Sequence, residues 1–209
     1  STIPALTTRK NRLQQFQNKL AGLTFLDPAC GSGNFLTETY LSLRRLENQT
    51  IAQLIAAQKG QVEGQIVFGG ATSVNVEVSI SHFYGIEIND FAATVAKTAL
   101  WIAESQMLKE TEAIIREHLD FLPLKTNAYI VEGNALRMNW EDIVPKNKLS
   151  YIMGNPPFHG FTYMTVEQKA DMATIFPGVK NLDFVCAWYK KASEYIAGTK
   201  IEVAFVSTN

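Results

Sequence analysis

Cysteine and histidine are scarce in this sequence: two cysteines, Cys30 and Cys186, and three histidines among 209 residues. Their scatter matches neither a disulfide framework nor a metal-ligand spacing, and it predicts a reducing, cytoplasmic setting with no structural metal. Long apolar runs are missing as well. None reaches the roughly 20 residues that cross a bilayer, so no membrane association is expected. The opening stretch, Ser1 to Leu20, is too polar for a secretory leader. An excess of either charge is also lacking: 19 basic and 20 acidic residues leave a net charge of -1, without the basic surplus common in nucleic-acid binders. No internal repeat or low-complexity tract is visible. Apolar side chains, in contrast, are plentiful at 46%, against 19% charged. That balance predicts a folded core in a chain of a length suited to one α/β domain.

Periodicity divides the chain into alternating elements. A short polar helix over Thr8–Leu20 makes residues 1–22 a lead-in to a core over 23–209. A strand at Thr24–Asp27 ends at Pro28 and a Gly-rich turn. A helix follows from Asn34 through Tyr40, Leu43 and Leu46 to beyond Ile51. The stretch near 60–81 changes character, with four glycines (Gly60, Gly64, Gly69, Gly70) around β-rich pieces at Gln65–Phe68 and Val74–Ile80, and reads as a surface insertion or hairpin. Phe83–Ile88 is the next strand. The helix after it carries Ala92, Val95, Ala96, Ala99, Leu100, Ala103 and Met107 on one face. Strands at Ala128–Glu132, Tyr151–Gly154 and Glu202–Val206 alternate with helices at Val166–Phe176 and Leu182–Ile196. This order predicts a doubly wound, mostly parallel sheet, which binds ligands at the carboxyl ends of its strands. Asp27, Glu87, Asn134 and Asn155 all fall at such ends.

Three segments carry chemistry. Asp27-Pro28-Ala29-Cys30-Gly31-Ser32-Gly33-Asn34-Phe35 is a strand end, a tight turn and a helix start. Gly31 and Gly33 allow close backbone approach, the helix N-terminus favours a carboxylate, and Asp27 offers a counter-charge to an ammonium. An amino-acid ligand such as the methionine end of S-adenosylmethionine suits this better than a pyrophosphate, although an ordinary tight turn has the same Gly-x-Gly spacing. Cys30 reads as a small buried residue of the turn. Glu87, closing the second strand, is placed to accept hydrogen bonds from a ribose. Asn155-Pro156-Pro157-Phe158 is the most specific segment. Its prolines stiffen the backbone and leave carbonyl acceptors, Asn155 adds a side-chain carbonyl, and Phe158 adds a flat apolar face. Acceptors beside a stacking ring suit the exocyclic amine of a planar base.

These segments, in this order, resemble gamma-class DNA adenine-N6 methyltransferases, and in particular the methylase part of MmeI-like, type IIG restriction–modification enzymes. The resemblance extends over Ala99–Met107 and over Ala204–Asn209, and covers Leu23 to Asn209. It implies a Rossmann-like fold that uses S-adenosylmethionine. It assigns Asp27, Pro28, Ala29, Gly31, Gly33 and Phe35 to the cofactor loop, Glu87 to the ribose, and Ile88 to the cofactor's adenine. Asn134 and Ala135 fall beside that adenine, where the family often has Asp at position 134. Asn155, Pro156, Pro157 and Phe158 become the catalytic loop.

The implied reaction is methyl transfer to N6 of an adenine flipped out of double-stranded DNA, with no covalent intermediate and no catalytic metal. Family features before Leu23 and after Val206 are missing, which implies a truncated sheet and a DNA-recognition domain outside this chain. A nuclease domain in the parent protein is a corollary. Cytosine-N4 methylation, ribosomal RNA guanine-N2 methylation, protein glutamine methylation and a non-catalytic cofactor-binding or specificity module are the rival readings. Cytosine-N4 enzymes more often have Ser at position 155, and the glutamine-directed ones have Tyr at position 158.

Overall fold

The computed structural model describes residues 3–59, 75–115, 127–179 and 181–207. The chain runs α1 (Ile3–Ala21), β1 (Phe25–Asp27), α2 (Asn34–Lys59), β2 (Phe83–Glu87), α3 (Asp90–Ile115), β3 (Tyr129–Glu132), β4 (Tyr151–Gly154), α4 (Val166–Ile175), α5 (Cys186–Ile196) and β5 (Glu202–Phe205). All five strands pair in parallel, in the order β3-β2-β1-β4-β5. The sheet grows outward from β1 in one direction through β2 and β3, then in the other through β4 and β5. The crevice at the carboxyl ends of β1 and β4 is therefore its topological switch point.

The three central strands, β1, β2 and β4, face a core on both sides, which explains their near-continuous apolar character. Phe25, Phe83 and Ile130 pack with Leu36, Tyr40, Leu100 and Met107 beneath α1, α2 and α3. Leu26, Ile86 and Ile152 pack the other way, with Trp140, Phe184, Trp188 and Tyr195 around α4 and α5. The alternation Phe25/Leu26 thus divides β1 between two layers. Phe25 stacks between Phe83 at 5.2 Å and Tyr151 at 5.4 Å, so the central three strands share one aromatic ladder.

The structure refines three expectations. The buried stripe of α3 is Ala93, Ala96, Leu100, Ala103 and Met107; Ala92, Val95 and Ala99 lie at its edge, half-buried. Gly33 explains the tight fit of this stripe, since a Cβ there would stand 2.9 Å from the Ala96 Cβ. The helix expected from Leu182 begins at Cys186, because the Asp183 carboxylate accepts from the Val185 N–H at 3.0 Å and holds the preceding residues in a turn. The β-rich piece at Val74–Ile80 is not a strand over 75–79, and Ile80–His82 forms a single 3-10 turn. The backbone of 77–78 bonds instead to the Glu47 carboxylate of α2, Glu77 N at 2.7 Å. The other piece, Gln65–Phe68, lies outside the described residues.

Candidate active site at the strand ends

The loops after β1, β2, β3 and β4 surround a cavity of about 640 Å³. Of the sequence-predicted residues, Pro28, Ala29, Glu87, Ile88, Asn134, Ala135, Asn155 and Pro157 line it. Chain segments more than a hundred residues apart thus meet on one surface.

The Gly-rich turn is held from three directions. Cys30 N donates to Ile86 O at 3.1 Å. Gly31, at φ 53°, directs its N–H to Glu87 Oε2 at 2.8 Å. The Trp188 indole N–H of α5 reaches Pro28 O at 3.1 Å. Glu87 spends its other oxygen on Asn89 N at 2.9 Å. A carboxylate oxygen accepts more than one bond, so Glu87 keeps acceptor capacity toward the cavity it lines. Burial and the nearby charges of Asp27 and Glu87 push the Cys30 thiol up, which makes it inert as a nucleophile.

Asp27 lies beneath the turn rather than on the cavity wall. It is 1% exposed. Its Oδ1 accepts from Ala29 N at 3.0 Å, and its buried Oδ2 has no partner. Gly154, which ends β4 just before Asn155, lies against this carboxylate; a Cβ there would come within 2.4 Å of Asp27 Oδ1. Glycine at 154 is therefore a requirement of close approach, and it joins the first segment to the catalytic loop. Desolvation, opposed by the Ala29 bond and reinforced by Glu87, raises the Asp27 pKa to about 7.

After β4, Asn155 and Pro157 are exposed at the cavity, Pro156 is buried and Phe158 is half-buried. The loop is clamped beyond Phe158. His159 N donates to Asp183 Oδ1 at 3.2 Å, and Phe184 N donates to His159 O at 2.9 Å. Phe35 is placed elsewhere. It is 41% exposed and lines a separate apolar groove with Leu23, Phe25, Leu43 and Tyr151, on the α2 side of the sheet. Its position on the first turn of α2 directs it to that layer and away from the loops after β2 and β3.

Sequence reasoning passed over the wall contributed by α4 and α5. Asp171, Thr165, Gln168, Phe184 and Trp188 line the cavity, together with Arg137 after β3. Asp171 is 6% exposed. It accepts from Asn134 Nδ2 at 2.9 Å and from Arg137 Nε at 2.6 Å. That hydrogen bond first, and then the carboxylate's charge, raise the Arg137 pKa. Asn134 Oδ1 accepts from Leu136 N at 2.9 Å. No sequence signal set Asp171 apart from the other polar residues of 166–176, since its burial is decided by where α4 packs. Among the described residues, no group of three or more His, Cys, Asp or Glu could hold a metal ion. No helix among them is long and apolar enough to cross a membrane.

A parallel sheet of this order, with a Gly-rich turn after β1, an acid at the end of β2 and Asn-Pro-Pro-Phe after β4, defines a Rossmann-like methyltransferase fold. The chain belongs to the family described as MmeI, DNA-methyltransferase domain, whose pattern matches residues 4–209. It is 40% identical over 204 residues to DNA methyltransferase A of Bacillus subtilis (strain 168), across 95% of this chain and 22% of that protein. It superimposes with a TM-score of 0.84, at 38% identity, on the type IIL restriction–modification enzyme MmeI, solved in complex with DNA. That match covers 98% of this chain and 28% of the other. The chain therefore spans about a quarter of the length of these relatives.

Proposed function

We propose that this chain is the catalytic core, over residues 23–209, of a DNA methyltransferase that moves a methyl group from S-adenosylmethionine to N6 of a flipped-out adenine. The segment over 1–22 is its lead-in, with an insertion near 60–81. The parent protein is a cytoplasmic restriction–modification enzyme that contacts double-stranded DNA through a recognition domain outside this chain and carries a nuclease. The observation that carries this reading is the single cavity lined by the turn after β1, Glu87, Asn134 and Asn155. A volume of about 640 Å³ and polar side chains along its lining suit a nucleoside-sized ligand with polar groups at both ends.

The cofactor reading has support in the unpartnered, deeply buried Asp27 Oδ2 and in the acceptor capacity left on Glu87. Residues 27–33 would hold the amino-acid end, Asp27 acting from beneath as counter-charge, and Glu87 would hold the ribose hydroxyls. Ile88, 68% exposed at the rim, would cover the adenine beside Asn134 and Ala135. When bound, S-adenosylmethionine supplies an electrophilic sulfonium methyl. Asn155 and the Pro156 carbonyl would accept the two N–H bonds of the target amine and orient its lone pair, while Phe158 stacks on the base. As the amine becomes cationic, these acceptors stabilise it until its proton leaves to water.

The test supplies the full-length protein with labelled S-adenosylmethionine and duplex DNA, then identifies the methylated nucleoside. We expect N6-methyladenine, lost by about 10²–10³-fold in Asn155→Ala, the usual cost of one transition-state hydrogen bond. N4-methylcytosine, or label confined to ribosomal RNA or protein, would overturn the substrate assignment and leave the cofactor reading intact.

A further inference from the structure

The Asn155–Phe158 segment has few backbone donors with which to fasten itself, because Pro156 and Pro157 supply no N–H. Its geometry is set at its two ends. At the first, Val206 N donates to Gly154 O at 2.9 Å, and Gly154 lies against the Asp27 carboxylate. At the second, His159 is held by both of its backbone groups. Its N–H donates to Asp183 Oδ1 at 3.2 Å, and its carbonyl accepts from Phe184 N at 2.9 Å. The same Asp183 oxygen accepts from Val185 N at 3.0 Å, so one carboxylate joins the segment to the turn that opens α5. That turn also reaches the other side of the cavity. Phe184 lines the cavity and meets Trp188 edge-on at 5.1 Å. Trp188, one helical turn further on, donates to Pro28 O at 3.1 Å. The loop that would hold the target amine and the turn that would hold the methyl donor are thus referenced to one rigid element.

We infer that Asp183 is a positioning residue for methyl transfer, which fixes the catalytic loop relative to the Gly-rich turn through the backbone of His159. This rests on the catalytic-loop reading above and extends it to a residue outside the lining of the cavity. Direct displacement at a methyl group needs the amine nitrogen, the methyl carbon and the sulfur in line, and a misplacement of about 1 Å costs on the order of 100-fold in rate. Cofactor binding draws on the turn after β1 and on Glu87, which Asp183 does not touch. Loss of the clamp therefore slows transfer more than it weakens the cofactor. The clamp itself needs an acceptor oxygen at the right reach rather than a charge. Asn at 183 supplies that oxygen through its amide carbonyl. Glu keeps the charge and moves its oxygens one methylene further out, so the two substitutions separate geometry from charge.

The experiment measures single-turnover methyl transfer to duplex DNA by the full-length protein and, in parallel, calorimetric binding of S-adenosyl-L-homocysteine. Asp183→Ala is expected to slow transfer by about 10–100-fold while the dissociation constant changes by less than about threefold. Asp183→Asn is expected to keep at least about a third of the native rate, and Asp183→Glu to slow as Asp183→Ala does. Native-like transfer by Asp183→Ala would overturn the inference. Rate and affinity falling in equal proportion would also overturn it, as the mark of a merely structural residue. If Asp183→Ala does not fold, the other two variants decide: a fast Asp183→Glu beside a slow Asp183→Asn would make charge the active property and sink the positioning role. Asn155→Ala serves as the control. Transfer at the native rate in that variant, or no transfer to DNA by the native protein, would bring down the catalytic-loop reading along with the inference. A slow Asn155→Ala beside native rates in all three Asp183 variants would bring down the inference alone.

Discussion

Asp27 combines three properties that local sequence does not reveal together: near-complete burial, one satisfied oxygen and one orphan. Its carboxyl pKa of about 7 in the folded protein lies well above the ordinary 3.8. The native state therefore holds a proton that the unfolded chain has released, and the stability linked to that proton is full below pH 3.8 and declines as pH rises through about 7. Over about three units at roughly 1.4 kcal/mol each, the decline is on the order of 4–5 kcal/mol. Asp27→Asn keeps the shape against Gly154 and has no such titration. Urea unfolding between pH 4 and pH 8 should show the native protein losing stability relative to this variant across that window. A constant difference would mean that Asp27 is ionised in the folded state throughout. At this scale Asp27, Glu87 and Asn155 were legible because each closes or directly follows an apolar strand. Asp171 and Trp188 were not, since nothing in the spacing of α4 or α5 says which turn meets the loops after β1 and β3.

Among the elements, α4 shows most clearly how local code and tertiary role combine. Thr165 caps it in both directions: its hydroxyl accepts from Gln168 N at 3.2 Å, and Gln168 Oε1 accepts from Thr165 N at 2.9 Å. This capping box is written in the sequence three residues apart, and it starts the helix that carries Asp171 to the cavity. Thr165→Ala should lower stability by about 1 kcal/mol, measured by thermal unfolding, while Thr165→Ser should restore most of it. Helix identities followed from a period of about three and a half, and strand identities from short apolar runs bounded by turn residues. Boundaries drifted where a side chain competed with the backbone, as Asp183 does ahead of α5. The segment over 75–79 departed from its β-rich composition because its N–H groups found the Glu47 carboxylate before any neighbouring strand.

Across the whole molecule, α1, α2 and α3 are joined by a polar network inside an otherwise apolar layer. Arg44 and Glu47, both fully buried, form an ion pair. Arg44 also donates to Thr111 of α3 at 2.7 Å, and Glu47 accepts from Gln17 of α1 at 3.0 Å and from the backbone of 77–78. Removing one partner leaves a buried charge uncompensated, so Arg44→Met should cost about 3–5 kcal/mol in denaturant unfolding. Adding Glu47→Leu to that variant should recover much of the loss. A loss under 1 kcal/mol in the single variant would show that water reaches the pair. Sequence spacing did not announce this network, because its members lie about 30 and 67 residues apart.

The sequence alone determined the alternation of strands and helices, the tight turn at Gly31 and Gly33, and the chemistry expected at Asp27, Glu87 and Asn155. All of these depend on local periodicity and on residues whose backbone preferences are intrinsic. Only the tertiary structure decided the order β3-β2-β1-β4-β5, the assignment of Phe35 to the opposite layer, the hold of Trp188 on Pro28 across 160 residues of chain, and the hold of Asp183 on His159. Each of those outcomes depends on which surfaces meet when apolar faces are buried together, and that is a property of packing between distant segments rather than of any one of them.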